Sequence, residues 1–276
     1  MTGELTVAVV VPCHNYGHFL SEAIRSVLEQ TRPPEVVLVV DDRSTDDTAA
    51  VARSFEGEVG YLRIDGGSPS AARNAGARAV DTDLVVFLDA DDRIEPTFVE
   101  RCLEKMPEDW SDHFVYTHFR RFGSVEAVDE APPYDRAGLA RENYIGPTTL
   151  LPRERVARIG YDETLRTGLE DWDLYLTFAE HGIEGVLVEE PLFMYRIHGD
   201  GVTWRLRRKP LHLGVLRVRL LVKHRALYSL ALFAIRLKTI LVMLLTDTEE
   251  RYQIRRRARK LVQIASRQAR QGETAS

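Results

Sequence analysis

The chain has 276 residues, enough for one large domain or two small ones, and its 44% hydrophobic content is ordinary for a folded core. Two cysteines, Cys13 and Cys102, offer neither a zinc-site spacing nor a disulfide framework, so a reducing cytoplasm is the expected setting. The net charge of -5 conceals an asymmetry: residues 1–204 hold 19 basic against 38 acidic side chains, and residues 205–276 hold 18 against 4. An acidic body suits divalent cations, whereas a basic tail suits an anionic surface such as a membrane leaflet, or simply a solvated helix packed on that body. Met1 to Thr6 lack the basic stretch and following apolar run of a secretory leader, so export is not expected.

Thr6 to Val11 is a continuous apolar run closed by Pro12, and Val36 to Val40 is another closed by Asp41 and Asp42. Both read as strands buried on two faces, which is the signature of a parallel sheet. Between them Phe19, Ala23, Ile24, Val27 and Leu28 recur at helical spacing, with Pro33 and Pro34 after the end. The alternation continues with a helix from about Asp46 to Phe55, a strand near Val59 to Ile64, a helix from Pro69 to Val80 and a strand from Leu84 to Leu88. It predicts an α/β domain, a mostly parallel sheet with helices on both faces and a ligand site beyond the carboxyl ends of its strands. From about Asp112 the runs are shorter: His113 to Phe119, Thr148 to Leu151, Val186 to Val188 and Phe193 to Ile197, with a helix from about Leu169 to His181.

Neither a Gly-x-Gly-x-x-Gly after the first strand nor a Gly-Lys-Ser/Thr phosphate loop occurs. The strand ends carry carboxylates instead. Asp89, Asp91 and Asp92 follow the run Leu84 to Leu88, and three clustered like charges are tolerable where a hard cation such as Mg²⁺ or Mn²⁺ neutralises them. The competing explanation is the cap of a helix starting near Glu95-Pro96, although one Asp would serve for that. Asp41 and Asp42 stand where a base and ribose would lie in an α/β crevice, while Asp46 reads as a helix cap.

Four blocks in order, Val9 to Tyr16, Val39 to Asp46, Ala71 to Gly76 and Phe87 to Asp92, closely resemble the inverting glycosyltransferase family 2, whose fold is GT-A. Two further blocks, Gly168 to Asp173 and Pro191 to His198, resemble it as well, so the likeness spans about residues 5–204. The resemblance implies that Pro12, His14 and Asn15 line a base and ribose pocket with Asp42, and with Asp41 beside it. It implies that Arg73 lies near the nucleotide, its fork free to meet a carboxylate or a phosphate. Asp89 and Asp91 would form the family's Asp-x-Asp, Asp91 holding the metal and Asp89 reaching ribose or metal-bound water. Asp171 would be the catalytic base, facing the anomeric carbon opposite the leaving diphosphate, as in-line displacement requires. Glu170 would orient the acceptor and Trp172 would stack on a sugar face. His198, followed by Thr203, resembles the element that closes over the diphosphate, with the histidine as a metal ligand.

On this reading the chain divides into a nucleotide-sugar half at 1–111, an acceptor half with the base at 112–204 and a basic helical extension at 205–276. The donor implied is a nucleoside diphosphate sugar, with uridine favoured; the acceptor class is a glycan, a lipid-linked molecule or a small molecule, and no nucleic-acid partner is expected. The Gln-x-x-Arg-Trp block of the processive synthases is missing, which predicts one sugar per encounter. The apolar run Ala226 to Leu245 is broken by Arg236 and Lys238, and its longest charge-free part, Ala226 to Ile235, is too short to span a bilayer. Ile254, Ala258, Leu261 and Ala265 share one helical face amid arginines, compatible with peripheral contact at the inner membrane face. A nucleotidyltransferase would share the sheet and carboxylates but needs a glycine-rich loop and a lysine that Pro12 to Gly17 do not supply. A non-catalytic sugar-nucleotide adaptor would have no use for a base at Asp171.

Overall fold

A computed structural model of the chain describes residues 4–198 and 210–245. Thr203 and the stripe from Ile254 to Ala265 lie outside the described residues. The described residues fall into two compact units, one built from 4–135 and 143–198, the other from 136–142 and 210–245.

The first unit holds a nine-stranded sheet in the order β3-β2-β1-β4-β8-β6-β9-β5, with β7 paired to β6. Strands β1 (Val7–Cys13), β2 (Val36–Asp42), β3 (Gly60–Ile64) and β4 (Leu84–Phe87) are parallel to one another, as their apolar runs predict. Helices α1 (Gly17–Leu28), α2 (Thr48–Arg53) and α3 (Pro69–Ala79) connect them. Alternation along β1 explains how both faces are covered. Val7, Val9 and Val11 join the core formed with Leu20, Ala23, Ile24 and Val27 of α1. Val10, on the opposite face, is so close to Gly76 of α3 that a Cβ there would stand 2.4 Å from its Cγ1.

The second half of the sheet is mixed. Strands β5 (Arg93–Ile94), β6 (His113–Gly123), β7 (Ala127–Asp129), β8 (Leu150–Pro152) and β9 (Glu184–Ile197) follow, with β8 antiparallel to both β4 and β6, β6 parallel to β9, and β9 antiparallel to β5. The two short runs expected at Val186 to Val188 and Phe193 to Ile197 are one strand. Glu189, Glu190 and Pro191 interrupt the apolar pattern, and register shifts on either side of His118 let the ladder continue past them. Helices α4 (Phe98–Lys105), α6 (Arg153–Ile159) and α7 (Glu170–Glu180) complete this unit.

The second unit joins the short helix α5 (Arg136–Arg141) to two helices, Pro210–Lys223 and Leu230–Leu245. The Tyr228 hydroxyl and the Arg236 guanidinium bond to the carbonyls of Ala140 and Arg141. No helix among the described residues is long and apolar enough to cross a membrane.

Candidate functional site

The carboxyl ends of β1, β2 and β4 lie side by side, so the loops that leave them meet. Beyond β1, His14 and Asn15 are exposed while Pro12 is buried in the sheet. Asn15 takes a left-handed backbone (φ 58°), which its short amide tolerates. Its N–H donates to Ser44 Oγ at 3.0 Å and its Oδ1 accepts from the Thr45 N–H at 2.8 Å. His14 Nδ1 stands 2.5 Å from the carbonyl oxygen of Asp42, so that nitrogen carries the ring proton. Asp46 is not the cap residue of α2, a position held by Asp47; it accepts from the Thr48 N–H at 3.1 Å and from the Gly17 N–H at 2.9 Å, tying the starts of α2 and α1 together.

The two aspartates after β2 differ. Asp42 Oδ1 accepts from the N–H groups of Gly66 and Gly67, both at 2.9 Å. Asp41 is fully buried and saturated: the Ser44 N–H reaches Oδ1 at 2.7 Å, while Tyr61 and Arg63 reach Oδ2 at 2.5 and 2.7 Å. Burial alone would raise its pKa, but these hydrogen bonds and the Arg63 charge outweigh it and hold the group below the ordinary carboxylate range. The expectation that Asp41 binds nucleotide is therefore corrected: its oxygens are spent on shaping the loop.

Asp89, Asp91 and Asp92 offer oxygens that all lie within 4.8 Å of one another. They do not cap a helix, because α4 begins only at Phe98. Asp92 is 1% exposed; its Oδ1 accepts from the Arg196 N–H at 2.7 Å, and its Oδ2 has no partner. Burial, and then the neighbouring Asp91 and Asp89 charges, push Asp92 well above the carboxylate range. The same causes raise Asp91, with His198 opposing them. His198 Nε2 is 2.8 Å from Asp91 Oδ2. Crowded, desolvated carboxylates with an orphaned oxygen and an adjacent imidazole fit a hard divalent cation.

The chain closes over this cluster through the end of β9. Arg196 donates from Nε to the Asp91 carbonyl at 2.6 Å and from Nη2 to Glu22 at 2.7 Å. Its guanidinium carbon lies 4.6 Å from the ring centre of Phe19 and 4.4 Å from that of Phe122. The rings of Tyr16 and Phe19 flank His198 at 5.8 and 5.3 Å. Sequence alone does not assign Tyr16, Phe19 and Phe122 to the site: Phe19 falls in the apolar pattern of α1 and Phe122 at the end of β6, and only Tyr16 stands in a loop, beside His14 and Asn15.

The opposite wall is the N-terminus of α7. Gly168 and Leu169 both have positive φ, 121° and 71°, and turn the chain so that Glu170 and Asp171 open the helix. Arg73, only 2% exposed on α3, lies between the walls rather than on the surface. It donates from Nη2 to Asp89 at 2.7 Å and from Nη1 to Glu170 at 3.0 Å, with Asp171 Oδ1 at 3.6 Å. Thus one guanidinium links Asp89 of the carboxylate cluster to Glu170 and Asp171 at the start of α7. Asp171 Oδ1 is buried without a hydrogen-bond partner. Burial, followed by repulsion from Glu170 and Asp89, raises Asp171 to about 7 against the pull of Arg73. Trp172, the next residue on α7, is buried at 5% exposure. Two residues unforeseen from sequence support this wall. Tyr161 lies with its ring centre 5.3 Å from the Arg73 guanidinium carbon, and Asn74 bonds to the Tyr161 backbone on both sides.

Residues 8–158 match the family model described as Glycosyl transferase family 2. TuaG of Bacillus subtilis, named for teichuronic acid biosynthesis, is 28% identical over 223 residues, covering 74% of this chain and 84% of TuaG. ExoU of Rhizobium meliloti, a succinoglycan biosynthesis protein, is 26% identical over 71% of this chain and 64% of its own length. The fold is that of S. aureus TarS residues 1–349, solved with UDP (TM-score 0.60, 19% identity) and with UDP-GlcNAc (TM-score 0.62, 18% identity). These matches cover 70% and 72% of this chain but 61% of the TarS chains, so this chain spans about three fifths of their length.

Proposed function

The chain belongs to glycosyl transferase family 2, and on that footing we propose that it moves one hexose-type sugar from a nucleoside diphosphate sugar to an acceptor hydroxyl, with inversion at the anomeric carbon. The observation that carries this reading is the Arg73 bridge, because it brings Asp89 and Asp171 to one guanidinium and so to two walls of one site. Asp42, His14 and Asn15 bind the base and ribose. Asp91, Asp89 and His198 would hold Mg²⁺ or Mn²⁺, which when bound neutralises charge on the departing diphosphate.

Asp171 accepts the acceptor's hydroxyl proton while the acceptor oxygen attacks the anomeric carbon from the face opposite the leaving group. The new C–O bond forms as the bond to the β-phosphate oxygen breaks, and its electron pair leaves with the nucleoside diphosphate. A carboxylate raised to about 7 by burial is a stronger base than an exposed aspartate, and is still largely ionised slightly above neutrality. Glu170, held by Arg73, orients the acceptor side.

Uridine as the base is supported by TarS, which was solved with UDP and UDP-GlcNAc. The acceptor is a glycan, a lipid-linked molecule or a small hydroxyl compound. We assign 1–111 to the donor half, 112–204 to the acceptor half and 205–276 to a basic extension. The charge of that extension supports peripheral contact with an anionic membrane from the cytoplasmic side. A thermal-shift panel of nucleoside diphosphates and their sugars, with and without Mn²⁺ or Mg²⁺, tests the donor class. The reading expects metal-dependent stabilisation by one base family, and no shift from any nucleotide overturns it.

A further inference from the structure

A buried guanidinium facing several carboxylates has several places to go, and what seats Arg73 beneath them is an aromatic ring. Tyr161 is 3% exposed and presents its ring 5.3 Å from the Arg73 guanidinium carbon. The ring is itself fixed: Phe87, the last residue of β4, meets it edge-on at 5.5 Å. The backbone is fixed too. Asn74 Oδ1 accepts from the Tyr161 N–H at 2.7 Å, and Asn74 Nδ2 donates to the Tyr161 carbonyl at 3.0 Å, so the residue adjoining Arg73 on α3 clamps the residue beneath it. Gly160, at φ 77°, ends α6 in the conformation that delivers Tyr161 there. The Tyr161 hydroxyl is buried and makes no hydrogen bond, so the tyrosine is held by its ring and backbone.

We propose that Tyr161 is a positioning residue of the transfer reaction, its ring holding the Arg73 guanidinium across Asp89 on the donor wall and Glu170 and Asp171 on the acceptor wall. This rests on the function proposed above. An aromatic face opposing a desolvated cation supplies attraction without competing for the Nη1 and Nη2 N–H groups, which donate to Glu170 and Asp89. With an aliphatic side chain at 161 the guanidinium loses its floor, and the separation between the two walls is no longer fixed.

The test compares Tyr161→Phe with Tyr161→Leu in the full chain. Donor binding is read by titration with UDP and Mn²⁺, turnover by release of nucleoside diphosphate from the donor, and folding by thermal midpoint. Tyr161→Phe keeps the ring and removes only an unpaired hydroxyl, so it retains wild-type turnover and an unchanged or higher midpoint. Tyr161→Leu loses at least tenfold in kcat at nearly unchanged KM for the donor, and its pH–rate profile shifts upward because Asp171 is less closely held by the cation. Equal turnover in Tyr161→Leu and wild type overturns the assignment, as does a Tyr161→Phe that is as impaired as Tyr161→Leu. If Tyr161→Leu does not fold, Tyr161→Trp replaces it, retaining turnover if an aromatic floor suffices and contradicting the proposal if it loses kcat while folded. A wild-type protein that releases no nucleotide from any sugar donor refutes the proposed function itself, and is thereby distinguished from failure at Tyr161.

Discussion

Arg73 Nη1 donates to Glu170 Oε1 at 3.0 Å across 97 residues of sequence, joining the helix after β3 to the first turn of α7. Three carboxylates depend on that one cation. Removing it leaves Asp89, Glu170 and Asp171 facing each other without compensation, and breaking a buried ion pair from one side typically costs about 3–5 kcal/mol. Arg73→Met is therefore expected to lower the unfolding free energy, read from urea melts at pH 7.5, by an amount in that range, and Arg73→Lys by less, since the charge survives without the fork. A midpoint for Arg73→Met equal to wild type would show that the carboxylates are solvated after all.

Asp171 gives the stability a pH dependence of defined sign. Its pKa is raised in the fold to about 7, whereas in the unfolded chain it lies near the ordinary value of about 3.9. Its contribution is thus fully present below the unfolded value and is lost as pH rises through the folded one. Asp171→Asn, which cannot ionise, is expected to melt at a higher temperature than wild type at pH 8, with the gap closing below pH 4. Scanning calorimetry across this range decides the matter; a gap that widens on acidification would contradict the raised pKa. Turnover should fall as pH drops below about 7, as the base protonates.

Asp91 and His198 should matter to the cation before they matter to chemistry. Asp91→Asn is expected to abolish the thermal shift produced by Mn²⁺ together with UDP, and His198→Ala to weaken it at least tenfold in apparent affinity. Asp41→Asn, by contrast, should reduce stability through the β2 loop while leaving the metal response in place. Metal dependence that survives unchanged in both Asp91→Asn and His198→Ala would remove this cluster from the site.

Gly76 tests the packing of α3 on β1. Alanine at a helical glycine normally gains about 1 kcal/mol, but here its Cβ would lie 2.4 Å from Val10 Cγ1. Overpacking of this kind costs about 1–3 kcal/mol, so Gly76→Ala should be net destabilising by roughly 1 kcal/mol, measured as a lower urea midpoint with unchanged slope.

What could be read from sequence follows from where the signal is local. Val7 to Val11 and Val36 to Val40 are unbroken apolar runs, so β1 and β2 and their parallel pairing were legible, as was the carboxylate cluster that follows β4. Strand β5 has two residues and β7 three, too few for any periodicity, and β9 hides behind Glu189, Glu190 and Pro191. Local sequence also does not show how Asp41 and Trp172 are buried. Whether a strand-end aspartate faces a ligand or its own loop depends on Tyr61 and Arg63 some twenty residues away. Whether an indole is a platform or core depends on what packs over α7. The Arg73 bridge to Glu170 spans too much sequence to be read without the fold, although both ends had been singled out separately.

The most direct test of the central claim is a paired measurement on Asp171→Asn: affinity for UDP with Mn²⁺ by titration calorimetry, and steady-state release of UDP from a UDP-sugar with a competent acceptor. The account predicts wild-type affinity with turnover reduced at least a hundredfold, because the donor wall is intact and only the proton acceptor is gone. Undiminished turnover in this variant would contradict it.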